Sequence, residues 1–132
     1  DTRVLLLSDL GRPGQEALIG REPDLRADIV IAGLPAQGEP LCDGLLERIQ
    51  PKVIVVMDAE FPAPQRASPR LLERLGRSGA IVLCTREPGA VALTVCRGGW
   101  TLRTMRGDQI SSDDRPQRQS TSRPTASQEG SD

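Results

Sequence analysis

Histidine and tyrosine are missing from this chain, and phenylalanine and tryptophan occur once each, as Phe61 and Trp100. A neutral imidazole is the usual protein ligand for catalytic zinc, so the first absence removes the ordinary means of building such a site from these residues. The scarcity of aromatics leaves little on which nucleic-acid bases could stack. Cysteine is sparse too. Cys42, Cys84 and Cys96 match no Cys-x-x-Cys spacing, which argues against a zinc ribbon or a dithiol redox site. They read as buried, reduced thiols in preference to a disulfide or a reactive centre. Nor does one sign of charge dominate: 17 basic and 18 acidic side chains leave a net charge of −1, which suggests neither a polyanion nor an anionic membrane as partner. All the basic residues except Lys52 are arginines, and they alternate with Asp and Glu instead of forming a block. No apolar run approaches the roughly 20 residues of a membrane span, so no membrane insertion by this segment is expected. The chain opens on Asp1 with no charged-then-apolar leader, so a targeting segment is expected to be absent or removed.

What is present is an alternation of apolar runs with breakers. At 132 residues the chain suffices for one domain around a single core. Leu45 to Val56 shows the pattern best: the last turns of an amphipathic helix, a stop at Pro51, then a β-branched run that reads as a buried strand. Before it, strands are predicted at Arg3–Ser8 and Ala27–Ala32, with a helix near Gln15–Ile19 between them. Leu41, Leu45, Leu46 and Ile49 fall on one helical face. After the strand Lys52–Met57, Ser68-Pro69 supplies an N-cap and a first-turn proline, and Leu71, Leu72 and Leu75 form the buried stripe of a third helix, with Glu73 and Arg77 paired on its wet side.

The last part changes character. Ala80–Thr85, Ala90–Cys96 and Trp100–Met105 read as successive antiparallel strands, the first two joined by a type II turn at Glu87-Pro88-Gly89-Ala90 and the last two at Gly98-Gly99. That hairpin would set Cys84 opposite a residue near Val91 to Leu93. From Arg106 the chain is polar apart from Ile110 and Ala126, too little apolar surface to offset the entropy of ordering it. The predicted fold is therefore α/β, a mixed sheet with helices on one face and a C-terminal antiparallel meander, in residues 1–106, followed by a disordered polar tail at 107–132.

The order of these pieces carries a resemblance. Ser8-Asp9, Leu25-Arg26-Ala27-Asp28-Ile29-Val30, Leu46 to Val56, Pro69 to Leu75 and Gly79-Ala80-Ile81-Val82 with Thr85 and Gly89-Ala90-Val91 resemble the C-terminal half of a metallo-β-lactamase-fold domain. More narrowly, they are similar to the hydrolase-like domain of ComEC-type bacterial competence proteins, which internalise DNA. The resemblance implies half of an αββα sandwich, a parent protein in the bacterial inner membrane, and DNA as a partner on that ground alone. It also implies where zinc ligands would stand. Family members carry a His-His pair after the second strand, where this chain has Leu34-Pro35-Ala36-Gln37, and a His-Pro loop where it has Arg66-Ala67. Only Asp9 remains, as a possible remnant of the family's metal-bridging aspartate, and one carboxylate cannot replace the imidazoles.

The implied role is thus a metal-ligand-poor pseudoenzyme without catalytic residues or cofactor, serving a DNA-uptake channel as scaffold or interaction domain. Its partner would be the other half of the fold or the rest of the parent protein. Read without the resemblance, Asp9 caps the turn that follows it. Asp58 and Glu60, just past a strand end, read as a solvated loop more readily than as a site at the carboxyl edge of a sheet. Arg66, Arg70, Arg74 and Arg77 read as an ordinary wet helix face sooner than as a track for a nucleic-acid backbone. An alternative function comes from Asp28 to Pro35 and the Leu-Leu-Glu-Arg-Ile helix, which look like the middle of a response-regulator receiver. There Ala32 or Gly33 occupies the place of the phosphoacceptor aspartate, so the module would be a degenerate signalling or binding domain. One structural expectation separates the two. Continuous apolar runs at Ile29–Ala32 and Val53–Met57 want cover on both faces, and a half-sandwich would leave one face exposed for its missing half.

Overall fold

The computed structural model describes residues 1–59, 62, 66–86 and 89–113. Among them are three helices and seven strands, in the order β1 (Val4–Leu7), α1 (Arg12–Arg21), β2 (Ile29–Gly33), α2 (Asp43–Ile49), β3 (Val53–Met57), α3 (Pro69–Gly76), β4 (Ile81–Cys84), β5 (Val91–Cys96), β6 (Gly99–Thr104) and β7 (Gln109–Ser111). The α/β class read from the sequence is the class observed. The strands form two sheets: four parallel strands ordered β1-β2-β3-β4, and three strands ordered β5-β6-β7, antiparallel throughout.

Local chemistry explains each helix end. Pro13 sits in the first turn of α1, where a missing N–H costs nothing. Gln50 closes α2 in the left-handed region at φ 49° ahead of Pro51. Ser68 caps α3 as its sequence demands, the hydroxyl accepting from Leu71 N at 3.1 Å. Arg77 closes that helix, and no ion pair joins it to Glu73 among the described residues.

Each parallel strand steps to its neighbour through one helix, always in the same direction across the sheet. Crossovers of one hand that never reverse direction place every helix on the same face. The core shows this. Val30, Ala32, Ile54 and Val56 point to a cluster with Leu45, Leu46 and Ile49 of α2, Leu71 and Leu75 of α3, and the flanking Leu18 and Ile19 of α1. Alternate residues Ile29, Val53 and Val55 point the other way, against Trp100 and Leu102 of β6, with Val91, Leu93 and Ile110 around them. The molecule is therefore a stack of three layers, helices, parallel sheet and antiparallel sheet.

This arrangement corrects several expectations. β4 is the fourth parallel strand, registered Val53↔Ile81 to Val56↔Cys84, and not the first strand of the meander. Cys84 accordingly does not face Val91 to Leu93 in a hairpin, and Glu87 and Pro88 of the proposed turn lie outside the described residues. The turn between β5 and β6 is Arg97-Gly98, closed by the Cys96↔Gly99 pair, one residue earlier than predicted. β7 falls within the stretch assigned to a disordered tail; its Ile110 pairs with Leu102 and joins the second core, so order extends past 107. Residues 114–132 of that tail lie outside the described part. The second face of the parallel sheet is not left open: β5, β6 and β7 cover most of it. The uncovered remainder lies at β1, where Val4 and Leu6 are 36% and 70% exposed, and at Met57 at the end of β3, 55% exposed. Finally, no disulfide joins the three cysteines, and only Cys42 and Cys84 are partly buried, whereas Cys96 is exposed.

Candidate functional site at the carboxyl edge of the parallel sheet

In an open parallel sheet, chemistry gathers beyond the carboxyl ends of the strands, at the point where strand order reverses and two loops part to form a crevice. Here the order of the described strands never reverses, so they present no such switch point. The carboxyl edge is instead closed by contacts between its own loops.

Asp58, the first residue after β3, is at the centre of that closure. Its side chain is fully buried. One carboxylate oxygen accepts from Ala67 N at 3.0 Å and the other from Arg86 N at 3.0 Å, while the Arg86 guanidinium approaches to 3.7 Å. The Thr85 hydroxyl adds a second link, accepting from Asp58 N and donating to Asp58 O, each at 3.0 Å. Asp58 thus ties the end of β3 to the end of β4 and to the entry of α3. It does not lie in the solvated loop expected for it. Both oxygens of this carboxylate are thus engaged by the protein's own groups. Glu60, its proposed companion, lies outside the described residues.

A second knot joins the loop after β2 to α1 and α3. Gln15, buried in α1, donates from its amide nitrogen to Leu10 O at 2.9 Å and to Glu39 O at 3.0 Å, and accepts from Cys42 N at 2.6 Å. Arg74 reaches from α3 into the same loop: Nη1 donates to Leu41 O at 2.8 Å and Asp43 Oδ1 at 2.9 Å, Nη2 to Pro40 O at 2.9 Å, and Nε to Glu39 Oε1 at 3.0 Å. Leu41 is held there in the left-handed region, at φ 56° and 1% exposure. A branched residue in that conformation costs about 1–3 kcal/mol, which the Arg74 fork and the burial of its side chain offset. Arg74 is therefore a structural clamp. Arg66, Arg70 and Arg77 are exposed, but the row of four arginines loses its third member to the protein itself.

Asp9 is exposed and stands apart from both knots. It is not the cap predicted for the following turn: Gly11 takes the N-cap position of α1 without a side-chain hydrogen bond. Nearby, Gly33 donates its amide to the Ser8 carbonyl, and a Cβ at Gly33 would come within 3.2 Å of that oxygen, so a side chain there would push apart by a few tenths of an ångström the ends of β1 and β2 that close together. Among the described residues, no three of His, Cys, Asp and Glu lie close enough together to hold a metal ion.

An apolar cleft of about 500 Å³ opens between the two sheets, lined by Ile31, Val55, Met57, Val91, Leu93 and Leu102, with Thr85 as its polar member. The Thr85 hydroxyl is already committed to Asp58, so the cleft offers surface without a reactive group. Among the described residues no helix is long and apolar enough to cross a membrane. No protein-family profile, curated protein or solved structure matches the chain.

Neither Gln15 nor Thr85 announces itself in the sequence. A glutamine in an amphipathic helix reads as surface, and only the loop brought over it by α2 and α3 converts it to a core hydrogen-bonding group. Asp58 carried one hint, a carboxylate directly after a strand buried at four of its five residues. Its partners lie 9 and 28 residues away and share no spacing rule with it.

Proposed function

We propose that this chain is a non-catalytic, metallo-β-lactamase-like half-domain of a bacterial DNA-uptake channel protein, acting as scaffold or interaction surface. The observation that carries this reading is the layer order. A single helix layer on one face of a sheet is what half of an αββα sandwich would retain, and β5, β6 and β7 occupy much of the face on which its missing half would sit. At the carboxyl edge the places of the family's ligands hold Leu34-Pro35-Ala36-Gln37 and Arg66-Ala67, and Asp9 stands alone. Asp58 and Arg74, the charged groups best held at that edge, are spent on closing loops. The other half of the fold would sit on the uncovered part of the second face, at Val4 and Leu6. DNA enters as a partner through the resemblance alone. The receiver alternative asks for helices on both faces of the sheet, and the one-sided helix layer gives it no support.

Two measurements test the reading. Metal analysis of the dialysed chain is expected to return zinc far below one per chain, and one tightly held zinc would overturn the inactive assignment. In the host, removal of residues 1–113 from the parent protein, with expression of the remainder verified, is expected to lower transformation frequency. Unchanged DNA uptake would overturn the competence role.

A further inference from the structure

We draw no further inference here: the strongest candidate, the apolar cleft between the two sheets lined by Ile31, Val55, Met57, Val91, Leu93 and Leu102, carries none, because its polar side chain, Thr85, is committed to Asp58 and nothing in the structure shows what covers it.

Discussion

Leu6 and Leu7 are neighbours of one residue type in one strand, yet the first is 70% exposed and the second 8%. The difference belongs to the two faces of the parallel sheet. On the face of Leu7, three successive crossovers lay helices side by side from β1 to β4, and the core beneath them is continuous. On the face of Leu6, cover comes from a separate three-stranded sheet that follows the last parallel strand. That sheet centres on Ile29, Val53 and Val55 and does not reach the outer strand. A face covered by the crossovers themselves closes wherever the sheet extends, while a face covered by an appended element closes only as far as that element reaches.

The contrast breaks most visibly at Trp100, the largest side chain on the appended sheet that enters the interface. Trp100→Ala is expected to cost about 3–5 kcal/mol and to release β5, β6 and β7, which denaturant unfolding and amide exchange of Leu102 would report. A loss below about 1 kcal/mol would mean that the second sheet is held by something other than this face. Next comes Asp58→Ala, expected to cost about 3 kcal/mol because two amides lose their buried acceptor and the Arg86 guanidinium its neighbouring negative charge. Its effect should be confined to the carboxyl edge. The pair that opened the comparison sharpens it further: Leu7→Ala is expected to cost about 2–3 kcal/mol and Leu6→Ala less than about 0.5 kcal/mol. Equal costs would mean that the second face reaches β1 after all.

The same two faces explain what the sequence disclosed. Helix stops and caps were legible because their causes are local: Pro51 ends α2, and Ser68-Pro69 opens α3 within a residue of its predicted place. The interior strands were legible because burial on both faces leaves a continuous apolar run. The place of β4 was not. A Pro-Gly turn signal after it suggests a hairpin, and the competing signal, that Ile81-Val82-Leu83-Cys84 is apolar without alternation whereas Val91 to Thr94 alternates between half-buried and exposed, is weaker locally though it decides the pairing. β7 had no local signal at all, since three residues with one isoleucine become a strand only beside β6. At the carboxyl edge the residue types were visible but their use was not. Asp58 and Arg74 look like surface charges, and both are consumed by partners that only the tertiary fold brings near.

The smallest expected effect lies at the far end of the sheet, where Arg3 donates to Asp24 at 2.9 Å and Arg26 N donates to the same carboxylate at 3.2 Å. The hydrogen bond from Arg3, with that from the Arg26 amide behind it, holds the Asp24 carboxyl below its ordinary value. A carboxyl whose folded value is depressed binds its proton more weakly folded than unfolded. It therefore adds stability above the unfolded value, near pH 4 for aspartate, and that stability fades as pH falls through the folded value. Because both partners are well exposed, solvent screens the pair and the contribution is minor. Asp24→Asn is thus expected to leave the melting temperature at pH 7 almost unchanged and to flatten slightly the loss of stability below about pH 4. A variant whose acid limb steepens would mean that Asp24 is repelled in the folded state, and would reverse the sign assigned to its contact with Arg3.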